Sequence, residues 1–281
     1  MPAYVLGMLA SPCHSKRSAR SLWTALALIV PTVATACSSD TPPPAPLNLL
    51  AAGATEAAVR DEIGIFNTQS GLTVNFTFGS AGAVRDMVLG GALADVVIVT
   101  PAIITTLDGQ QRVSPGSRAD LGRVGGGLAV KAGAPLPAIS TTDELKQTLL
   151  DADEVYYADP TLATAGAALM TVVDSLGIGD QVRAKGHTAP GGKEAMQNMT
   201  QSTAARAIGA TQISEILSVP EATLVGEYPG ALQVKTTYSA IIIEGTERLE
   251  DAQKLVQFFL GPDFQARLAL SGFESVPPTA N

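Results

Sequence analysis

Apolar positions along residues 47–107 alternate between strand spacing and helix spacing. Apolar runs at 47–51 and 95–99, and the period-two segment 73–78, predict three strands. Between and after them, apolar residues recur at helical spacing in 56–67, 83–89 and 101–107. This βαβαβα order predicts an α/β fold built on a parallel sheet.

A second unit of the same kind follows. Its predicted strands are 125–130, 155–158, 207–210 and 236–243, and its predicted helices are 141–150, 165–176, 192–200, 249–260 and 262–270. The helix at 141–150 opens on Thr141 with Glu144 three residues later, a capping-box pattern. The chain therefore reads as two α/β lobes.

The first 36 residues read as a signal peptide. Lys16, Arg17 and Arg20 precede an apolar stretch at 22–33 that is too short to span a bilayer. Small residues then lead to Cys37, which resembles the lipobox of bacterial lipoproteins with Ala34 in the usual place of leucine. We expect a lipidated Cys37, a Pro-rich tether over 37–46 and an exported protein anchored on the periplasmic or cell-surface side. Signal cleavage near Ala36 with an incidental Cys37 is the alternative, and Met8 is an alternative start.

Charge and cysteine content exclude several classes of site. The formal net charge is −8, and removing the three basic residues of 1–36, which contains no acidic residue, makes it −11. Such a chain is not expected to bind nucleic acid, which needs clustered Lys and Arg. With Cys13 in the signal peptide and Cys37 lipidated, no thiol remains, and His187 is the one histidine left. We therefore expect no metal site and no cofactor.

Glycine-rich turns at predicted strand-to-helix junctions are the candidate ligand site. Helix N-termini there offer unpaired N–H groups to an anion, and Ser80 adds a hydroxyl. The candidate residues are Gly53, Ala54, Thr55, Ser80, Ala81, Gly82, Thr164, Ala165, Gly166, Gly191, Gly192 and Lys193. None of these turns matches the P-loop pattern, so nucleotide hydrolysis is not supported. Glu56 lies in a helix first turn, where a carboxylate favours the helix dipole.

Six segments resemble the periplasmic molybdate-binding proteins of ABC transporters. They are 49–57, 76–83, 91–98, 159–166, 208–216 and 236–240, and the resemblance covers 47–276. It implies a type II periplasmic-binding-protein fold with lobe one at 47–125 plus 237–276, lobe two at 126–236, and ligand in the cleft between them. It further implies a monomer that closes around a small anion and delivers it to a membrane permease.

The sequence departs from the family pattern at its ligand residues. The two ligand serines of the family fall on Gly53 and Ala81, and its second-lobe tyrosine falls near Gln212, which we add to the candidates. A molybdate-like oxyanion and a small organic carboxylate therefore both fit.

Two further functions stay open. Some proteins that resemble this branch isomerise a small tricarboxylate such as aconitate, which requires a positioned base. Lys193, His187, Glu215 and Tyr238 are candidates, and the sequence singles out none of them. A non-transport lipoprotein that senses or scaffolds is the third possibility. We expect a binding protein rather than an enzyme.

Overall fold

The computed structural model describes residues 45–276. The predicted signal peptide, Cys37 and most of the tether lie outside this range. The ten strands in chain order are β1 (Leu47–Ala52), β2 (Val74–Gly79), β3 (Val96–Val99), β4 (Ala119–Val124), β5 (Gly126–Lys131), β6 (Glu154–Ala158), β7 (Gly186–Ala189), β8 (Ala207–Gln212), β9 (Ala222–Glu227) and β10 (Thr236–Ile242). The ten α-helices are α1 (Glu56–Ser70), α2 (Ala81–Leu89), α3 (Pro101–Gly109), α4 (Thr142–Asp151), α5 (Thr164–Ser175), α6 (Gly179–Ala184), α7 (Gly192–Gln201), α8 (Ile213–Leu217), α9 (Leu249–Leu260) and α10 (Pro262–Leu270).

The strands form two five-stranded sheets. The first has the order β2-β1-β3-β10-β4 and the second the order β7-β6-β8-β5-β9. The predicted α/β class is therefore confirmed, but the sheets are mixed rather than parallel. In each sheet one strand, β10 or β5, pairs antiparallel with both of its neighbours.

The reversed strands are those that carry the chain between the sheets. Only Gly125 separates β4 of the first sheet from β5 of the second, and the chain returns from β9 to β10 through 228–235. A strand that enters from the other sheet runs against its neighbours, which explains why the prediction of wholly parallel sheets is wrong.

Helices pack their apolar faces on each sheet. Fully buried residues of α1, α9 and α10 pack on one face of the first sheet, among them Val59, Phe259 and Phe264. A comparable core, including Leu145, Leu169 and Val155, lies on the second sheet. The predicted capping box of α4 is present, since Thr141 Oγ1 accepts from the Glu144 amide at 3.2 Å and Glu144 accepts from Thr141 N–H at 3.1 Å. Among residues 45–276, no helix is long and apolar enough to cross a membrane.

Candidate ligand-binding cleft

A cavity of about 220 Å³ lies between the two sheets, where β2 leads into α2 and the chain enters α7. Its lining residues are Gly53, Glu56, Phe78, Gly79, Ser80, Ala83, Leu162, Pro190, Gly191, Lys193, Glu194 and Glu215. Four candidates from the sequence, Gly53, Ser80, Gly191 and Lys193, thus meet at one cavity although they belong to different sheets.

Ser80 contributes a hydroxyl from the first-sheet side. Its extended backbone makes it the N-cap of α2, and its Oγ accepts a hydrogen bond from the Ala83 amide at 3.3 Å. An oxygen that accepts this bond can still donate its own hydrogen into the cavity. Serine at this position therefore serves both the helix and the cleft.

Gly82 does not line the cavity and instead makes a backbone contact between its two sides. Its amide donates to the Leu162 carbonyl at 2.9 Å, and a Cβ on Gly82 would lie 2.6 Å from that oxygen. Leu162 belongs to a turn held by Asp159, whose carboxylate accepts from the backbone and side chain of Thr161 at 2.8 and 2.7 Å. The expected use of the Gly82 amide for a ligand is corrected, because the amide is already bonded across the cleft.

An ion pair makes a second link across the cleft. Lys193 Nζ on α7 lies 3.0 Å from Glu56 Oε1 on α1, and Arg60 Nε lies 2.6 Å from the same oxygen. Burial acts to raise the pKa of Glu56, but hydrogen bonds from Arg60 and Lys193 outweigh it and lower the pKa below the ordinary value. Glu56 is therefore a cleft residue, a role beyond the helix-dipole contact that its sequence position suggested.

The side chain of Glu215, a residue of α8, lies at the N-terminal end of α7. Its Oε2 accepts from Thr211 Oγ1 at 2.6 Å and lies against the start of α7, since a Cβ on Gly192 would overlap it. Burial raises the pKa of Glu215, and the hydrogen bond from Thr211 counteracts the rise. The N-cap residue of α7, Gly191, has no side chain to cap the helix, and the buried Glu215 carboxyl group lies beside this helix end.

This arrangement corrects the expectation for Gly192. A Cβ on Gly192 would overlap Thr211 Oγ1 and the Glu215 carboxyl group. The glycine is required because Thr211 and the Glu215 carboxyl group fill the space that a side chain would take, and Gly192 is not among the lining residues of the cavity.

Thr55 and Ala54 do not reach the cavity. Thr55 is fully buried and donates its hydroxyl hydrogen to the Ala52 carbonyl at 2.9 Å. Ala54 and Ala81 are buried in the core of the first sheet. These three residues shape the turns but offer no side-chain donor.

The start of α5 also lies outside the cavity. Ala165 lines a much smaller cavity, with Gln212 and Tyr228. A Cβ on Gly166 would overlap the Ala158 carbonyl, so this glycine allows α5 to pack against β6. Thr164 opens the same helix but is not among the lining residues, which include Leu162 of the preceding turn instead.

Gln212 holds the segments that cross between the sheets. Its amide nitrogen faces the carbonyl oxygens of Gly125 and Val124 at 3.0 and 3.2 Å, and its oxygen accepts from Thr236 Oγ1 at 3.2 Å. Gln212 therefore holds the crossing strands together and does not line the cavity.

Of the four candidate bases, only Lys193 and Glu215 lie in the cleft. His187 stacks on Tyr156 with ring centroids 4.7 Å apart on the outer strand β7. Tyr238 is buried beside Phe273, and burial raises the pKa of its hydroxyl. Within residues 45–276, no cluster of three or more His, Cys, Asp or Glu side chains could hold a metal ion.

Comparisons with known proteins agree with this architecture. The family model for bacterial extracellular solute-binding proteins matches residues 47–274. Aconitate isomerase from a Pseudomonas species is 31% identical over 185 residues, which cover 66% of this chain and 68% of that relative. The periplasmic molybdate-binding protein of Azotobacter vinelandii has a TM-score of 0.69 at 21% identity and covers 82% of this chain and 100% of its own.

The sulfate-binding protein of Mycobacterium tuberculosis is a further structural relative. Its TM-score is 0.68 at 18% identity, and the match covers 84% of this chain and 88% of that one. The predicted two-lobe fold and the resemblance to molybdate-binding proteins are confirmed by these structures.

Proposed function

Because the chain belongs to the family of bacterial extracellular solute-binding proteins, we propose that it captures a small anion for an ABC importer. The main support is the cavity between the two sheets, whose sides are joined by Gly82–Leu162 and Glu56–Lys193. Contacts that exist only when the two sides meet are what a protein needs to retain a ligand by closure.

The anion would lie between Ser80 and Lys193. The Ser80 hydroxyl donates from the first-sheet side, and the Lys193 ammonium lies on the opposite side. A cavity of about 220 Å³ accommodates a tetrahedral oxyanion or a small organic carboxylate. Gly53, which lines the cavity, has no side chain that would reduce this volume.

Lobe one would comprise 47–125 plus 237–276, and lobe two 126–236. The strand assignments support these boundaries, since β4 ends at Val124 and β10 begins at Thr236. The two crossing segments would form the hinge, with Gln212 holding both.

The protein would work at a membrane surface. Cys37 would carry the lipid, the tether 37–46 would hold the body near the membrane surface, and a permease would receive the ligand. The protein would act as a monomer. The family's extracytoplasmic location supports this arrangement.

Isomerisation of a tricarboxylate is the alternative function. It is favoured by the 31% identity with aconitate isomerase and by a buried carboxyl group, Glu215, in the same cavity as Lys193. A base of raised pKa beside a bound carboxylate could move a proton along the substrate. Incubation with aconitate in deuterated water tests it, because an isomerase would exchange the migrating proton and a binding protein would not.

A ligand screen tests the main proposal. Molybdate, tungstate, sulfate, phosphate, citrate and aconitate are compared by thermal shift, where a ligand at 100 times its Kd stabilises the protein by about 2.7 kcal/mol. Ser80→Ala should then weaken binding by about 1 kcal/mol, or about fivefold in Kd, in isothermal titration.

The control is Thr141→Ala, which removes the cap of a helix whose capping residues do not line the cleft. Both variants should lose about 1 kcal/mol of unfolding free energy, because each removes an N-cap. Only Ser80→Ala should lose affinity, and equal affinities in the two variants would remove Ser80 from the site.

A further inference from the structure

A second cavity, of about 310 Å³, opens at the outer end of the second sheet. It lies between the loop that follows β5, the end of α4 and the start of β8. Because β5 begins and β8 ends beside the crossing segments, their opposite ends at Val130 and Ala207 place this cavity away from the cleft. Among residues 45–276, the two cavities share no lining residue. A volume of this size is at the lower end of the range for small-molecule sites, about 300 to 1,000 Å³.

The interior of this outer cavity is apolar. Val130, Ala152 and Ile208 are buried in the core of the second sheet and also line the cavity. Ala205 and Ala207 line it closer to the surface. Because alanine side chains are short, they leave space above the core that the protein does not fill. An apolar group of a ligand in this space would gain free energy by leaving water.

One wall of the outer cavity is rigid. Leu136 lies between Pro135 and Pro137, and each proline restricts its own backbone and that of the residue before it. Thr148 Oγ1 on α4 donates to the Ala138 carbonyl at 2.8 Å, which ties the loop to the helix. The Leu136 side chain lines the cavity although this residue is 59% exposed. A leucine held in this way can cover a ligand at little conformational cost.

Two opposite charges line the outer cavity, and each is bonded to another group of the protein. Arg206 donates to one oxygen of Asp153 from Nη2 at 2.6 Å and from Nε at 3.3 Å. Asp151 accepts from the uncharged Gln147 side chain at 2.8 Å and lies within electrostatic range of Arg206. Lys185 also acts on Asp151, but its ammonium is bonded to two backbone carbonyls and it does not line the cavity.

We propose that the outer cavity binds an apolar α-amino acid. The side chain of the amino acid fills the space over Val130 and Ile208, its ammonium binds Asp151, and its carboxylate binds Arg206. The guanidinium has five N–H donors, so it can bind a second carboxylate while it stays bonded to Asp153. A zwitterion suits this cavity better than a single ion, because both lining charges then gain a charge-assisted hydrogen bond. The site is separate from the proposed anion cleft and does not depend on it.

The first experiment is isothermal titration of the wild-type protein at about pH 7, where the probes are ionised. L-leucine is compared with 3-methylbutylamine, which lacks the carboxylate, and with 4-methylpentanoate, which lacks the ammonium. L-phenylalanine is compared with 2-phenylethylamine and 3-phenylpropanoate in the same way. At least one amino acid should bind, about tenfold or more tightly than either of its analogues, because each analogue loses a hydrogen bond between charged groups. Glycine, which has no side chain, should bind more weakly than that amino acid.

The second experiment removes the charge of Asp151. Asp151→Asn keeps an oxygen for Gln147, and it should weaken binding of the amino acid about tenfold without weakening binding of the acid analogue. Asp143→Asn is the control, because Asp143 is exposed on the same helix and does not line the cavity. This control should bind the amino acid as the wild type does.

The third experiment fills the outer cavity. Ala205 lines it from an exposed turn, so the larger side chain of Ala205→Leu can enter the cavity without crowding the core. Binding of the amino acid should be lost, while the unfolding temperature should stay close to that of the wild type. Ala132→Leu is the control, because Ala132 is also exposed in a turn but does not line the cavity.

Three results would overturn the proposal. They are no binding of either amino acid, equal binding of an amino acid and one of its analogues, and unchanged binding in both Asp151→Asn and Ala205→Leu. The anions of the earlier screen should bind these two variants as they bind the wild type. Failure of the outer site therefore leaves the proposed function of the cleft intact.

Discussion

At the scale of single residues, a substitution at Gly192 would test how tightly the protein packs around the Glu215 carboxyl group. A methyl group on Gly192 would overlap Thr211 Oγ1 and the Glu215 carboxyl group, which are joined by a buried hydrogen bond. We expect Gly192→Ala to lower the free energy of unfolding by about 1–3 kcal/mol, because neither partner can move without leaving a buried polar group unpaired. Urea unfolding measures the effect.

The matched control is Gly64→Ala. Gly64 lies in α1, is exposed, and would place its Cβ with no atom within 4 Å. The same substitution there should raise the free energy of unfolding by about 0.5–1 kcal/mol, since alanine favours a helix over glycine. Effects of the same sign at both positions would contradict the packing argument.

The glycines of the turns also show what the sequence cannot predict about single residues. The glycine-rich turns predicted a ligand site, and Gly53 and Gly191 do line the cavity. Gly82, Gly166 and Gly192 are instead glycines because a carbonyl or carboxyl group of the protein fills the space of a side chain. A sequence records that a side chain is missing but not which atom replaces it.

At the scale of elements, the pairing of α1 with α7 should control how readily the cleft opens. Lys193→Gln removes the ion pair with Glu56. The Lys193 side chain is 28% exposed and the Glu56 side chain is 13% exposed. A pair of this kind contributes about 1 kcal/mol, so the ratio of closed to open protein should fall about fivefold. Small-angle scattering of the ligand-free protein should show a larger radius of gyration.

Arg60→Gln is the control, because Arg60 pairs with the same Glu56 oxygen but within α1. It should leave the radius of gyration unchanged, and an equal expansion would refute a role for the link across the cleft. The pKa of Glu56 is lowered. The link therefore stabilises closure above the ordinary pKa of glutamate and is lost as pH falls through the lower pKa of bridged Glu56.

Sequence patterns identified the buried central elements and missed the peripheral ones. The apolar runs of β1 and β3 and the capping box of α4 give strong local signals. The missed strands β4, β7 and β9 lie at outer edges of the two sheets, with partly exposed residues and no long apolar run. The site was predicted in part, because turn chemistry is local, whereas the meeting of Glu56 with Lys193 depends on how the two sheets face each other.

At the scale of the whole molecule, Cys37 should determine where the protein resides. This residue lies outside the described range, and its lipidation stays a prediction. Cys37→Ser should move the protein from the detergent phase to the aqueous phase and abolish fatty-acid labelling in the producing bacterium, because the lipid supplies most of the membrane affinity. Cys13→Ser, at the other cysteine of the chain, should change neither. An unlabelled wild-type protein would contradict the lipobox.

The central position of β10 sets the order in which the two sheets can be completed during synthesis. All five strands of the second sheet lie within residues 126–227, whereas the first sheet lacks the strand between β3 and β4 until residues 236–242 have been made. The second sheet can therefore form while β3 and β4 still wait for their shared partner. Pairing over such a long separation is slow, because the intervening loop must be closed before its contacts form. β1, β2 and β3 can pair with one another without β10, so β4 and the outer edge of β3 stay unpaired longest. The first sheet of this extracytoplasmic protein thus stays incomplete until late in synthesis, and an incompletely folded chain is what can thread through a membrane pore.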